Sequence, residues 1–204
     1  MIYFCLSLLL AFSHKLVEVV IRKLPFRNLD KHAVLLWAVM IGLLIPFFHN
    51  EYVFKIPIHF GEALPIFGFL VIANVIAARF SGYNPIGSYN IINFVLTYPI
   101  VEEIIYRGLI LPNIEPLFGS SKLMDIFYMP VTIPVIITAV LFAICHLQYY
   151  NLSSESIRFM IFACIGGIVL GSMTLMTESI VFALGLHMIF NSCSVLYSKR
   201  IIKI

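Results

Sequence analysis

IINFVLTYPIVEEIIYRGLIL, residues 91–111, decides how this chain is read. The stretch is long and apolar enough to cross a bilayer, which takes about 20 such residues. It nevertheless carries Glu102, Glu103 and Arg107 near its middle. An ionisable group at that depth costs about 2.5–3.5 kcal/mol on insertion scales, so three in one helix demand partners. Arg107 lies four residues after Glu103; the two share a helical face and can pair within their own helix. Glu102 sits about 100° round the helix from Glu103 and must find its partner on another segment.

The composition outside this stretch agrees with a lipid environment. Of 204 residues, 61% are hydrophobic and only 11% charged, against roughly 25% charged in soluble domains. The mean hydropathy is +1.02. So few charges cannot solvate a globule of this size, which excludes a soluble domain, a disordered chain and a nucleic-acid-binding module. The net charge of +3 identifies no partner. Cys5, Cys145, Cys164 and Cys193 are scattered through apolar stretches without a CxxC pair and read as packing residues.

About seven apolar segments are expected: roughly 1–12 (with the amphipathic KLVEVVI after it), 33–48, 63–78, 91–111, 128–147, 157–176 and 179–197. The first has no basic residues before it and no cleavage site, so it reads as a retained segment. Backbone in lipid must satisfy its own hydrogen bonds, and continuous apolar runs do so as helices rather than as an alternating barrel. The expectation is an all-α polytopic bundle of about seven transmembrane helices, one domain spanning 1–204. Alternating from a cytoplasmic loop after the first segment puts ten basic residues inside: Lys15, Arg22, Lys23, Arg27, Lys31, Arg79, Arg158, Lys199, Arg200 and Lys203. Only Lys55 and Lys122 fall outside. That bias predicts a multi-pass plasma-membrane protein with a cytoplasmic C-terminus.

The other acidic residues fall in loops or at segment ends: Glu18, Asp30, Glu51, Glu62, Glu115, Asp125, Glu155 and Glu178. His14, His32, His49 and His59 are read the same way, with water satisfying them. His146, in FAICH, and His187, in HMIFN, lie within segments. Phe142 and His146 share a face by their i, i+4 spacing, as do His187 and Asn191. A lone intramembrane histidine is more often a structural hydrogen-bonding group. Two histidines, an asparagine and two glutamates in one apolar bundle have no solvent but each other and are expected to cluster as a functional site.

Several chemistries could use that cluster. A carboxylate can take a proton from water while an imidazole orients it. A second histidine with an asparagine could hold a developing oxyanion. Together these describe amide hydrolysis inside a membrane. Alternatively, Glu102, His146 and His187 could ligate a metal, zinc being the one their donors suit. The HExxH helix of zincins is absent and spacing fixes no ligand trio, so no cofactor is expected and zinc stays the alternative. No GxSxG occurs, and Ser172 in IVLGSM reads as small-residue helix packing. Asp30 and Asp125 are both in loops, which excludes an aspartate dyad.

EEIIYR, FAICH and HMIFN fit EExxxR, FxxxH and HxxxN patterns. Their order, on three separate membrane segments within about 91–195, resembles the CPBP family. That family comprises the type II CAAX prenyl endopeptidases and bacterial relatives called Abi or bacteriocin-processing and immunity proteins. The resemblance implies a glutamate-dependent intramembrane protease whose site opens toward the cytoplasm. It implies that Glu102 and His146 activate water and that His187 and Asn191 stabilise the oxyanion, with Glu103, Arg107 and Phe142 in support. Some members are described as metalloproteases. The implied partner is a peptide or membrane-protein substrate, prenylated where the host prenylates its proteins. The fold also has an alternative use, as a non-proteolytic bacteriocin-immunity or membrane-peptide-binding protein. A proton-coupled carrier would show inverted repeats, and none is found.

Overall fold

The structure is a computed structural model and describes residues 2–25, 29–48, 52–118 and 122–201. Arg27, His49, Glu51 and Lys203 lie outside the described residues. The chain is built from ten helices among the described residues. These are α1 (Ile2–Ala11), α2 (Ser13–Arg22), α3 (Ala33–Leu44), α4 (Phe60–Ala78), α5 (Ser88–Ile92), α6 (Tyr98–Glu103), α7 (Leu111–Phe118), α8 (Ile133–Cys145), α9 (Ser154–Thr177) and α10 (Val181–Ile201). One hairpin, β1 (Lys122–Ile126) and β2 (Met129–Thr132), pairs antiparallel between α7 and α8.

The expected count of about seven membrane-spanning helices is not supported. Among the described residues, four helices are long and apolar enough to cross: Leu29–Phe47, Phe60–Ala78, Ser154–Thr177 and Val181–Lys199. A fifth crossing arises if α1 and α2, bent by 58° at Phe12, count as one broken span. The segment expected at 128–147 is shorter than the sequence suggested. Its first residues are the second strand of the hairpin, and the helix starts at Ile133 after Thr132, whose side chain accepts the Val135 N–H at 3.4 Å. Pro134 follows in the first turn, where a missing N–H is harmless. Extended through Gln148, this helix is about 24 Å long against a hydrocarbon core of about 30 Å.

The segment at 91–111 is not a regular helix. Residues 88–118 form one helical run containing two π-helical stretches, Asn93–Thr97 and Ile104–Ile110. There the hydrogen bonds skip a residue: Tyr98 N–H reaches Asn93 O, and Leu111 N–H reaches Tyr106 O. A proline follows each stretch closely, Pro99 after the first and Pro112 after the second. The proline ring clashes with the carbonyl four residues back and offers no N–H, so the preceding turn widens.

The most extensive helix–helix contact in the bundle is between α8 and α9. On α9, Ala163, Gly167 and Gly171 are buried one turn apart, while Ile157, Ile161 and Ile165 are exposed on the lipid side. A Cβ on Gly167 would meet the Ala139 Cα at 2.9 Å, and one on Gly171 would meet Val135 Cγ1 at 3.2 Å. Lipid provides no hydrophobic force between helices, so close approach through small residues holds them together. Ser172, fully buried with no hydrogen-bond partner for its hydroxyl among the described residues, sits in this packed stripe.

Amide side chains secure the breaks in the helices. At the α1–α2 elbow, Ala11 O has lost its helical donor and accepts from Gln148 Nε2 at 2.8 Å and from the Tyr106 hydroxyl at 3.1 Å. Gln148 Oε1 in turn accepts the Lys15 N–H, in the first turn of α2, at 3.0 Å. One side chain thus caps the end of one helix and the start of the next. The elbow also buries His14 against Trp37 and Tyr149, with ring centroids 5.1 and 4.8 Å away. Neither ring nitrogen has a hydrogen-bond partner among the described residues. The expectation that water satisfies His14 at a segment end is therefore wrong, because the bend folds that end inward.

Candidate active site

The π-distorted run brings Glu102 and Glu103 to different surfaces. Glu103 is fully buried and Arg107 is 1% exposed, one turn later. Arg107 Nη1 donates to Glu103 Oε1 at 3.1 Å, and Nη2 donates to Gly167 O at 3.3 Å. The guanidinium carbon lies 4.6 Å from the centre of the Phe142 ring. Arg107 thereby binds the run to both α8 and α9. A Cβ at Gly167 would stand 3.4 Å from Nη2, an ordinary contact, so it is Ala139 at 2.9 Å that demands glycine there.

The Glu103 carboxylate has a second partner that helical spacing does not reveal. His187 Nδ1 lies 2.7 Å from Glu103 Oε1, so Nδ1 carries a proton and donates to it. Nε2 of the same ring faces Glu102 Oε2 at 3.8 Å. Glu103 is thus more than a carboxylate neutralised within its own helix: it fixes the orientation of a histidine on α10. Glu102 faces that same histidine from the other side.

His146 follows directly on α8. Its Nδ1 donates to Phe142 O at 2.9 Å, which leaves Nε2 as an acceptor. The Phe142 ring stands edge-on to His146 and to His187, with centroids 5.3 and 5.8 Å away. The Phe142 ring thus contacts the Arg107 guanidinium and both imidazoles. Asn191, one turn after His187, donates from Nδ2 to Phe94 O at 2.8 Å.

Glu102, His146, His187 and Asn191 line a single cavity of about 520 Å³, whose remaining wall is mostly apolar and aromatic. Glu103 and Arg107 lie behind it. Tyr83 and Tyr150, from the loops after α4 and before α9, line the same cavity, and Arg79 and Arg158 flank those loops. The other ends of α9 and α4 are tied by Lys55 to Glu178 at 3.0 Å and by Ile58 N–H to Thr177 O at 2.8 Å. Sequence reasoning missed Tyr98, Tyr149 and Asn74 in the wall. Tyr98 was findable, since it stands four residues before Glu102 on the same helical face. Asn74 was not: it donates to Leu186 O at 2.9 Å, a contact between α4 and α10 that no spacing announces.

Among the described residues, no three His, Cys, Asp or Glu side chains converge at a spacing that would hold a metal ion. His187 and His146 each commit Nδ1 to an oxygen of the protein, and only their Nε2 atoms remain free. The arrangement can take a proton from water at Glu102, accept a hydrogen bond from water at His146 Nε2, and donate at His187 Nε2 when that ring is protonated.

Comparison with known proteins gives the site a context. No curated protein and no solved structure matches the chain. A family model described as type II CAAX prenyl endopeptidase Rce1-like matches residues 84–193. That span is more than half of the chain, and it contains the whole run from Glu102 to Asn191, with α1–α4 outside it. The chain therefore belongs to the type II CAAX prenyl endopeptidase Rce1-like family, a family of membrane proteases.

Proposed function

We propose that the protein is an intramembrane endopeptidase that hydrolyses a peptide bond with a water activated by Glu102 and His146. The observation that carries this reading is the shared cavity: Glu102, His146, His187 and Asn191 line it together, with Glu103 and Arg107 buried behind. In the reaction, His146 Nε2 accepts one hydrogen of the water and the Glu102 carboxylate takes the other as a proton. The hydroxide oxygen bonds to the scissile carbonyl carbon. The oxygen of that carbonyl takes up the electron pair and is held by His187 Nε2–H and an Asn191 N–H. Collapse breaks the C–N bond, and Glu102 returns its proton to the leaving amine.

Arg107 beside Glu103 supplies one compensating cation in a site where an uncompensated charge is costly. The site faces the cytoplasm on this reading. Tyr83 and Tyr150 place one end of its lining at the loops beside Arg79 and Arg158, on the side where ten of the twelve basic residues outside residues 91–111 are expected. The C-terminus is then cytoplasmic and the membrane is the plasma membrane. The substrate is a peptide or membrane protein presenting an apolar group to the apolar wall, a prenyl chain being one such group. No cofactor takes part: turnover should survive an excess of chelator, and a loss restored by zinc would replace the carboxylate mechanism.

The deciding experiment is cleavage of a quenched fluorescent peptide by the purified protein in liposomes, compared with Glu102→Ala. Cleavage that vanishes in the variant supports the proposal. Equal turnover by the two proteins would overturn it, and cleavage by neither would leave a binding or immunity role for the same fold.

A further inference from the structure

The backbone carbonyl of Phe94 occupies a singular position. In the first π-helical stretch each N–H reaches the carbonyl five residues back, as Tyr98 N–H does to Asn93 O. The next donor in that register belongs to residue 99, and residue 99 is proline. Phe94 O therefore receives nothing from its own helix at that place. The hydrogen bond it does receive comes from the Asn191 amide on α10, at 2.8 Å. In lipid, a carbonyl without a partner is expensive, so this bond replaces one that the sequence itself removed. It joins α10 to the helical run about two turns before the Glu102–Glu103 pair, and Asn191 lies one turn after His187. The 2.7 Å contact of His187 with Glu103 and the bond of Asn191 to Phe94 are thus two rungs between the same two helices.

We propose that Asn191 is a positioning residue: its amide stands in for the N–H that Pro99 lacks, and this bond sets the register of Glu102 against His187. The proposal rests on the reading of Glu102 as the base that activates water. It deepens that reading by giving one Asn191 N–H a fixed structural task, which aims the second N–H into the cavity. It also assigns Pro99 a purpose. The proline opens the turn and reserves the carbonyl for α10.

The test is a double-mutant cycle on the full-length protein in liposomes, with kcat, KM and the thermal unfolding midpoint measured for each variant. Asn191→Ala leaves Phe94 O unpaired, and kcat should fall by about 5–150-fold with KM little changed. Pro99→Ala restores an N–H beneath Phe94. In that background, Asn191→Ala removes only the N–H that faces the cavity, so its loss of kcat should be smaller than in the wild-type background, and the unfolding midpoints should show coupling of the same sign. If the two changes simply multiply in kcat and add in the midpoint, Asn191 does not act through Phe94 and the proposal is overturned. If none of the proteins turns over peptide, the endopeptidase reading fails, and the midpoints still decide whether the Pro99–Phe94–Asn191 coupling exists. Where Asn191→Ala does not fold, Asn191→Ser enters the cycle in its place with the same two outcomes.

Discussion

Helix α9 and the run 88–118 are both long, apolar and packed against α8, yet they are built in opposite ways. α9 is one unbroken helix of 24 residues. Its start is capped locally, by reciprocal hydrogen bonds between Ser153 and Ser156. Its face toward α8 is a stripe of small residues, and it needs no charged group. The run 88–118 twice gives up regular helical bonding at prolines and carries two carboxylates and a guanidinium at depth. Its missing bonds come from other elements: Asn191 reaches Phe94, Gly167 accepts from Arg107, and His187 meets Glu103. A regular helix satisfies its own backbone and leaves little over for chemistry. A broken one is held by groups on its neighbours, and those groups become the walls of a site. π-helical turns concentrate at functional positions for this reason.

The contrast is broken most severely at Glu102. Glu102→Gln keeps shape and burial while removing the base. We expect kcat to fall by about two to four orders of magnitude, with the unfolding midpoint nearly unchanged. A variant that loses both together would mean Glu102 serves the fold, like the residues of α9. The next largest effect falls on folding. Arg107→Ala leaves Glu103 fully buried without its cation, at a cost of about 3–5 kcal/mol. Adding Glu103→Gln should recover much of that loss in expression and unfolding measurements in detergent. A double variant no more stable than Arg107→Ala alone would show that the pair is not what holds the run in place.

The same contrast explains what could be read from the sequence. α4, α9 and α10 were legible because apolar content and length determine a self-satisfied helix. The Glu103–Arg107 pair was legible because i, i+4 spacing is a property of one helix. His187 on Glu103 was not, since it depends on how α10 lies against the run, and spacing within a helix carries no such information. The hairpin was hidden for another reason. Its turn is Phe127–Tyr128, both at positive φ (50° and 66°), where Asn-Gly or Asp-Gly would have announced it. Large aromatic residues in that conformation read as the start of a membrane helix. The two prolines at 99 and 112 were visible, and their consequence, a widened turn before each, follows from ring geometry. His14 was misread because its burial depends on the 58° elbow, which no residue pattern marks.

Two smaller perturbations of α9 sharpen the comparison from its other side. Gly167→Ala puts a Cβ 2.9 Å from Ala139 and close to the Arg107 guanidinium. Forcing the helices apart should cost about 1–3 kcal/mol. Because Gly167 also holds Arg107, kcat should fall as well, and a variant that is destabilised with kcat intact would separate the packing stripe from the site. Ser153→Ala is the mildest change. It removes the side chain that accepts the Ser156 N–H at 3.1 Å, a loss of about 1 kcal/mol for an N-cap. The cap lies in the loop before α9 and touches none of Glu102, His146, His187 or Asn191. The unfolding midpoint in detergent should therefore drop slightly while kcat and KM stay at their wild-type values. If kcat fell along with the midpoint, the start of α9 would be coupled to the cavity through Tyr150 in the preceding loop, and the division between a self-sufficient helix and a site-building run would not hold at that end of the bundle.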